Sequence, residues 1–135
     1  MAETLTLRLL TPRRQLVDEP VIQVVAEGSL GQFGVLPDHA AYVTALEPGP
    51  LIFRRPSGQA ETLAVKGGFA EVRDNVVTVL VDDVLPLDRL DTAQARADLE
   101  KAEAALEEAP YGHPEHERLR RECRWASVRL ALAGS

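Results

Sequence analysis

The most distinctive stretch of this chain is rich in glycine and proline inside otherwise apolar sequence, and it reads Gly31-Gln32-Phe33-Gly34-Val35-Leu36-Pro37-Asp38-His39-Ala40-Ala41-Tyr42-Val43-Thr44-Ala45-Leu46-Glu47-Pro48-Gly49. Glycine and proline set the shape of the backbone and supply no reactive group. The stretch therefore predicts a shaped loop that leads into a short strand at residues 42–46.

The composition of the whole chain limits the classes of protein to which it can belong. The chain has 135 residues, 45% of them hydrophobic and only 4% aromatic, so we expect an aliphatic core. A net charge of -6 argues against a generic nucleic-acid binder, whose surface is basic. The single cysteine, Cys123, excludes an internal disulfide and suits a reducing compartment. No apolar run or leader pattern is present, so the sequence predicts a soluble, cytoplasmic protein that reaches a membrane only through another protein.

The composition changes near residue 86. Val, Thr, Gly and Pro dominate before it, and Ala, Glu, Arg and Leu dominate after it. The first set is typical of sheet and the second of helix. The sequence therefore predicts an α+β fold with segregated domains: an antiparallel β-sandwich over residues 1–86 and an antiparallel two-helix hairpin over residues 87–135.

Alternation and turn residues place the strands. Leu5, Leu7 and Leu9 alternate with polar residues, and the strongest strand signal is residues 76–81, where every second residue is valine. The other predicted strands are 21–27, opened by Pro20, and then 42–46, 51–54, 63–66 and 69–72. Gly67-Gly68 predicts a bulge or sharp bend, and Asp74-Asn75 predicts a tight hairpin turn.

Two helices follow, each with one narrow seam of small apolar residues. Asp91 and Gln94 have the spacing of a helix N-cap and its reciprocal partner. The seams are separated by a break at residues 110–114, and their members are Ala95, Leu99, Ala102, Leu106 and Ala109, then Leu119, Cys123, Ala126, Leu130 and Ala133. Small side chains bury little area, so we expect a marginally stable hairpin that can detach.

Candidate catalytic and metal sites are weak. His113 and His116 lack a second pair of metal ligands, and a solvated helix start explains them better. Ser29, Asp38 and His39 have no spacing that supports a catalytic triad. The glycines near residue 31 lack the Gly-Lys-Ser/Thr ending of a phosphate loop. We therefore predict no metal site and no catalytic residues, which favours a binding or coupling protein over an enzyme.

The second helix carries a cluster of arginines: Arg118, Arg120, Arg121, Arg124 and Arg129. Such a cluster suits an acidic partner or a nucleotide phosphate, and a solvated face that pairs with the first helix is an equal alternative. Trp125 lies beside the seam and is predicted to pack internally or to contact a partner.

Two motifs of this chain resemble the motifs of one known protein family. Residues 31–40 and 44–49 closely resemble the pattern Gly-x-x-Gly-(Ile/Val)-x-Pro-x-His-Ala, then Thr-Ala-x-x-Pro-Gly, of the epsilon subunit of bacterial F-type ATP synthase, called delta in mitochondria. Residues 67–72 resemble the second motif of that family. The resemblance implies a non-catalytic rotor subunit of the central stalk that couples proton translocation to ATP synthesis, peripheral at the cytoplasmic face of the bacterial inner membrane. Its implied partners are the gamma subunit, the c-ring and the alpha and beta catalytic subunits, with no nucleic acid.

The resemblance also implies three contact regions. The c-ring contact is expected at the tip formed by Leu30, Gly31, Gln32 and Phe33, where Gln32 occupies a position that is commonly acidic in the family. The gamma interface is expected at Pro37, His39, Ala40 and Tyr42. The extended hairpin is expected to bring the arginine cluster to the catalytic subunits and to inhibit ATP hydrolysis.

Some members of that family bind ATP on the folded hairpin through a motif (Ile/Leu)-Asp-x-x-Arg-Ala. The matching residues here are Asp91 and Gln94, with Arg129 on the second helix, and Gln94 replaces the arginine of the motif. Loss of a charged phosphate contact predicts weak or absent ATP binding, so no cofactor is expected. The main alternative is a free-standing β-sandwich protein with a helical tail that binds a small ligand, such as an ATP sensor, and a hydrolase that uses His39 is a third.

Overall fold

The computed structural model describes residues 3–134. The chain divides into two compact units, the first ending at Val84 and the second beginning at Leu85. Ten β-strands precede two α-helices, and the strand bounds are β1 Leu5–Leu10, β2 Gln15–Val21, β3 Gln23–Gly28, β4 Gly31–Val35, β5 Tyr42–Leu46, β6 Gly49–Arg54, β7 Ala60–Val65, β8 Gly68–Arg73, β9 Val76–Val81 and β10 Val84–Pro86.

The strands form one sheet that encloses its own core. The strand order is β10-β7-β6-β3-β5-β8-β9-β1-β2, with β4 paired to β3. Leu5, Leu7 and Leu9 of β1 and the alternate valines of β9 are at most 1% exposed. These alternating residues meet in a core to which each of the strands β1–β9 contributes. The predicted β-sandwich followed by helices is thus confirmed.

One strand pairing departs from the antiparallel pattern. β1 lies parallel to β9, with Leu7 opposite Val77 and Leu9 opposite Val79. The pairings of β3 with β4, β5 and β6, and those of β1 with β2, β5 with β8, β6 with β7 and β8 with β9, are antiparallel. Because both strands place alternate residues in the core, the parallel ladder brings two fully aliphatic rows into contact.

Two strand predictions were wrong in detail. The first half of the glycine-rich stretch is a strand, β4, which pairs with β3 from Val24–Val35 to Gly28–Gly31 and leaves only residues 36–41 as loop. Residues 15–21, which were not predicted as a strand, form β2 with Pro20 inside it. Proline is tolerated there because β2 is the last strand of the sheet order and one side of its backbone needs no partner.

The predicted hairpin turn at Asp74-Asn75 occurs, and the two glycines at 67 and 68, predicted as a bulge or sharp bend, both have positive φ at the junction of β7 and β8. Asp74 and Asn75 have φ values of 53° and 62° and join β8 to β9, as a two-residue hairpin turn of type I′ requires. Gly68 has φ +138°, and a Cβ there would lie 1.9 Å from the carbonyl oxygen of Leu80. Only glycine allows β8 to approach β9 that closely.

An ion-pair cluster links strands from opposite ends of the sheet order. Arg55, just after β6, contacts Glu19 of β2 at 2.7 Å and Glu61 of β7 at 2.6 Å. Its guanidinium also lies 5.1 Å from the ring centroid of Phe53. Hydrogen bonds to the two carboxylates raise the pKa of Arg55 above its ordinary value. The cluster therefore ties β2 to β7 although they are not neighbours in the sheet.

The second unit contains a short 3-10 helix, Leu87–Arg89, followed by α1 (Thr92–Glu108) and α2 (Pro114–Ala133). Arg129, near the end of α2, contacts Asp98, near the start of α1, at 3.0 Å, so the helices are antiparallel. Ala95, Ala102 and Ala126 of the predicted seams are buried. The helical hairpin is confirmed.

The capping of α1 is only half of the predicted arrangement. The carboxylate of Asp91 accepts a hydrogen bond from the backbone N–H of Gln94 at 3.1 Å. The side chain of Gln94 donates to Asp98 at 2.8 Å, one turn further along the helix, and does not provide the predicted reciprocal cap. A carboxylate four residues on is a stronger acceptor for this amide than solvent.

Candidate functional site

The glycine-rich stretch spans the first unit from one end to the other. The β3–β4 turn at residues 29–30 lies at the end where Leu10, Leu80 and Phe69 are paired across neighbouring strands, since Ser29 N–H donates to the Ala45 carbonyl. The loop at residues 36–41 lies at the opposite end, beside the β8–β9 turn. The turn at Leu30 and the loop at residues 36–41 are therefore well separated, whereas Phe33 of the first predicted set and Tyr42 of the second are in ring contact.

The turn end presents an apolar tip. Leu30 is 89% exposed at the top of the β3–β4 hairpin, where Gly31 pairs with Gly28. Gln32 lies on the strand and donates to Glu27 at 3.4 Å, while Phe33 packs against the core. Of the four residues predicted at the tip, Leu30 and Gly31 form it, and the other two lie further down β4.

A row of aromatic side chains runs from β4 to the loop end. The rings of Phe33 and Tyr42 are 5.5 Å apart, and those of Tyr42 and His39 are 6.3 Å apart, both edge to face. The Nδ1 of His39 lies 2.6 Å from the carbonyl oxygen of Ala40, which makes Nδ1 the protonated donor. Tyr42 packs against the core, so among the predicted gamma-contact residues it supports the loop that holds Pro37, His39 and Ala40.

The outer face of β5, β8 and β9 exposes large apolar side chains that sequence reasoning did not assign to any surface. Val43, Phe69 and Leu80 are 67%, 61% and 48% exposed. Phe69 stands directly opposite Leu80 on one side and Ala45 on the other, and Val43 is two residues from Ala45 on the same face. We call Val43, Ala45, Phe69 and Leu80 the apolar ladder.

The alternation of the strands would have revealed this ladder. Ala70 and Val72 face the core, so Phe69 must face outward. Leu80 must face outward for the same reason, because its neighbours in β9 face the core. The next row of the face carries Glu71 and Arg8, which flank the ladder with charge. An apolar centre with a charged rim is the composition of a protein interface.

The arginines of α2 differ in their partners. Arg118 contacts Glu115 at 2.6 Å and Arg120 contacts Glu117 at 2.8 Å, each within the helix. Hydrogen bonds from these arginines lower the pKa of both glutamates. Within residues 3–134, Arg121 and Arg124 are exposed and make no hydrogen bond or ion pair. These two are the arginines that remain available to a partner.

Arg129 is held between the two helices. Its guanidinium lies 3.0 Å from Asp98 and 5.2 Å from the ring centroid of Trp125, and its side chain is 13% exposed. Hydrogen bonds from Gln94 and then Arg129 lower the pKa of Asp98. The three predicted nucleotide residues are thus already engaged: Asp91 caps α1, and both Gln94 and Arg129 bind Asp98.

Next to this pair is an open cleft of about 450 Å³ within the hairpin, lined by Asp98, Lys101, Ala102, Ala105, Arg118, Leu119, Glu122 and Arg129. Among the described residues, the buried Nε of Arg129 has no hydrogen-bond partner. The carboxylate of Asp98 accepts a hydrogen bond from Nη1 of Arg129. An entering phosphate would have to share the guanidinium with this carboxylate.

The histidines and the cysteine have structural roles. The Nδ1 of His113 accepts a hydrogen bond from the N–H of Glu115 at 3.1 Å and so caps α2. Burial raises the pKa of the Cys123 thiol, which lowers its reactivity. In the part of the chain that the structure describes, no group of at least three His, Cys, Asp or Glu side chains could hold a metal ion.

Neither α1 nor α2 is long and apolar enough to cross a bilayer, as judged over residues 3–134.

Two solved structures show the same fold. A chain in the cryo-EM structure of the Euglena gracilis mitochondrial ATP synthase, in its OSCP/F1/c-ring part, matches with a TM-score of 0.83 at 24% identity, covering 97% of this chain and 82% of that one. A chain of the Tetrahymena thermophila mitochondrial ATP synthase central stalk and c-ring matches with a TM-score of 0.58 at 21% identity, covering 93% and 91%. At these identities the likeness concerns the fold.

The sequence comparisons concern nearly the whole chain. Residues 4–86 match the model of the ATP synthase Delta/Epsilon chain, beta-sandwich domain. The ATP synthase epsilon chain 2 of Syntrophotalea carbinolica is 40% identical over 134 residues, which cover 99% of this chain and 96% of the relative. The ATP synthase epsilon chain of Geobacter sulfurreducens is 38% identical over the same shares. This chain belongs to the delta/epsilon chain family of ATP synthase.

Proposed function

We propose that this chain is a non-catalytic subunit of the central stalk of an F-type ATP synthase and turns with the rotor that couples proton translocation to ATP synthesis. Family membership over nearly the full length supports this role above that of a free-standing ligand-binding protein. The structural observation that carries it is the apolar ladder. A sheet face that exposes Val43, Phe69 and Leu80 to water is costly unless a partner covers it.

The partner we propose for the apolar ladder is the gamma subunit. The ladder lies in β5, β8 and β9, and β5 begins directly after the loop that carries Pro37, His39 and Ala40. Ladder and loop together offer a hydrophobic centre with polar groups at its edge. This extends the predicted gamma interface from the loop onto the sheet, with Tyr42 as support behind it.

The end of the sandwich opposite the loop at residues 36–41 is proposed to face the c-ring. Leu30 is the most exposed large apolar residue among the described residues of the first unit, at 89%. The contact it can make is apolar, since Gln32 is neutral and its side chain is directed to Glu27. Through this contact the chain would sit peripherally at the cytoplasmic face of the bacterial inner membrane.

Binding of a purified gamma subunit tests the ladder. Phe69→Ser removes the central side chain, and we expect the affinity for gamma to fall by about tenfold to a hundredfold, as for an interface anchor. Tyr111→Ser is the matched control, because Tyr111 is also an exposed aromatic residue, 95% exposed, but lies in the hairpin loop. Equal binding by both variants and the unchanged chain would exclude the ladder as the gamma interface.

The hairpin is proposed to regulate hydrolysis. When extended, α2 would bring its basic residues to the alpha and beta catalytic subunits, and Arg121 and Arg124 are the arginines free for such a contact. Removal of residues 88–135 from the complex should then raise its rate of ATP hydrolysis. An unchanged rate would rule out an inhibitory role for this hairpin.

ATP binding by the isolated chain is proposed to be weak or absent. Gln94 carries no charge, and Arg129 is already paired with Asp98. Titration of ATP against the isolated chain measures this directly. Micromolar affinity would contradict the proposal, whereas binding that is detected only at millimolar ATP concentrations agrees with it.

A further inference from the structure

The loop that follows β4 contains a strained residue. Among residues 3–134, three non-glycine residues have positive φ, namely Asp38 at 66°, Asp74 at 53° and Asn75 at 62°. Asp74 and Asn75 form the β8–β9 turn, which requires this conformation. Asp38 stands apart from them in sequence and needs a different explanation.

Asp38 occupies the third position of a tight turn. His39 N–H donates to the carbonyl of Leu36 at 3.1 Å, which closes a turn with Pro37 and Asp38 at its centre. Proline followed by a residue with positive φ is the pattern of a type II turn, where glycine or asparagine is preferred at the second central position. Aspartate fits this position less well than glycine or asparagine, so a contact from outside the turn stabilises it there.

The side chain of Asn75 holds it. Asp38 N–H donates to Oδ1 of Asn75 at 2.6 Å, and Nδ2 of Asn75 donates to Oδ1 of Asp38 at 3.2 Å. The backbone carbonyl of Asn75 also accepts from the N–H of Thr6 at 2.8 Å, which anchors the turn to the chain just at the start of β1. One asparagine thereby joins the start of β1, the β8–β9 turn and the loop at residues 36–41.

We propose that Asn75 is a positioning residue for partner binding: its side chain fixes the loop of residues 36–41 in the conformation that docks on the gamma subunit. This inference rests on the proposed function. The loop carries Pro37, His39 and Ala40, which are proposed to meet gamma, and ordering a mobile loop on binding would weaken the affinity. The two hydrogen bonds order the loop already in the unbound chain, so that binding of gamma does not have to order it.

The first test measures the loop without any partner. Asn75→Gly retains the left-handed turn and removes both hydrogen bonds, so we expect hydrogen exchange of the amides of residues 38–41 to accelerate by about tenfold. Asp74→Gly is the matched control, since it changes the neighbouring turn residue and leaves the Asp38–Asn75 contact intact. Equal exchange in the two variants overturns the proposed positioning by Asn75.

The second test measures binding of purified gamma. Asn75→Gly should weaken binding by about tenfold while Asp74→Gly leaves it unchanged. Asn75→Asp should also weaken it, because two carboxylates then face each other. Adding Asp38→Asn to that variant exchanges donor and acceptor and should restore both loop protection and affinity, which a merely structural role of residue 75 would not produce.

The outcomes separate this inference from the function on which it rests. An unmodified chain that fails to bind gamma overturns the proposed function and the docking role together. An unmodified chain that binds, with an Asn75→Gly variant that exchanges faster yet binds equally well, overturns the docking role alone. Faster exchange, weaker binding and rescue by the exchange variant support it.

Discussion

The sandwich and the hairpin of this chain are stabilised by different means. In the sandwich, side chains from nine strands share one core, and Leu51, Phe53 and Val77 are at most 1% exposed. In the hairpin, two alanines, Ala95 and Ala126, are completely buried, and the larger side chains of Trp125 and Leu119 are 4% and 9% exposed. At about 25 cal/mol per Å² of buried apolar area, alanine contributes far less than leucine or phenylalanine. The difference gives a rigid platform and an element whose folded form is held by few interactions.

That difference suits the two proposed roles. A platform that transmits torque must resist deformation, and the sandwich adds to its core the Arg55 cluster between β2 and β7. A regulatory element must change state for a few kcal/mol. In the hairpin, the Arg129–Asp98 ion pair joins two helices whose facing residues are mostly small. The predictions below test whether the two regions differ as much as their packing indicates.

The largest effect is expected at Gly68. In Gly68→Ala, the new Cβ would lie 1.9 Å from the carbonyl oxygen of Leu80, so β8 and β9 must separate. We expect the sandwich to lose at least about 3 kcal/mol of its free energy of unfolding, measured by urea denaturation.

Gly58→Ala is the control for this substitution. Gly58 also has positive φ, +94°, but nothing lies within 4 Å of a Cβ there. Only the backbone strain remains, and it should cost about 1–2 kcal/mol. Equal losses in the two variants would mean that the close approach of β8 to β9 does not limit the sandwich.

The next effect is expected in the hairpin. Leu119 is the buried leucine of α2, and Leu119→Ala should cost the hairpin about 2 kcal/mol. Hydrogen exchange should accelerate in α1 and α2 while the amides of β1 and β9 keep their protection. Leu36→Ala, at a leucine that is 57% exposed, is the control with no expected change. Faster exchange in both regions would show that they unfold as one cooperative unit.

The sequence predicted those features of the molecule that depend on near neighbours in the chain. Alternation identified the buried face of β1 and β9, and residue type identified the Asp74–Asn75 turn. β4 was missed because Gly31 and Gly34 are poor strand residues, and it exists because β3 offers it a complete ladder. β2 was missed because Pro20 is acceptable only in an edge strand, and edge position is a property of the assembled sheet.

The candidate surfaces also contain some features that the local sequence predicts and others that it does not. The tip at Leu30 and the loop at residues 36–41 follow from local motifs. The contact between Asp38 and Asn75 joins residues 37 positions apart, and no local pattern predicts it. The pairing of Arg129 with Asp98 likewise depends on how α1 packs against α2. Non-local hydrogen bonds of this kind became visible only in the structure.

The ion pair between the helices gives a smaller effect. Asp98→Asn weakens the contact with Arg129, and we expect the hairpin to lose about 1 kcal/mol. The extended form should then be more populated, so the complex should be inhibited more strongly in ATP hydrolysis assays. Glu107→Gln is the control, since Glu107 is an exposed acid of the same helix that makes no hydrogen bond or ion pair within residues 3–134. Equal inhibition of ATP hydrolysis by the two variants would show that the ion pair does not stabilise the folded hairpin.

The same pair predicts a pH dependence. Hydrogen bonds from Gln94 and Arg129 lower the pKa of Asp98, so its stabilising contribution is complete above the ordinary carboxylate pKa of about 3.9. The contribution is lost as the pH falls through the lower pKa of the folded state. Hairpin protection should therefore be constant from pH 7 to about pH 5, and Asp98→Asn should abolish only the loss seen below about pH 4. A loss centred near pH 6 would point to another group.

Substitution of the exposed arginines of α2 should change the stability of the isolated chain least. In the complex, the same substitution should clearly change the inhibition of ATP hydrolysis. Arg118 and Arg120 are paired with glutamates three residues earlier on the same helix, so they stay paired whether the hairpin is folded or extended. Arg121 and Arg124 have no such partner among the described residues and can bind an acidic segment in either state. The double variant Arg121→Gln/Arg124→Gln should leave the urea midpoint unchanged and relieve inhibition of hydrolysis. The matched variant Arg118→Gln/Arg120→Gln removes the same charge and should relieve it less, and equal relief would show that total charge, not the pairing of individual arginines, sets the contact.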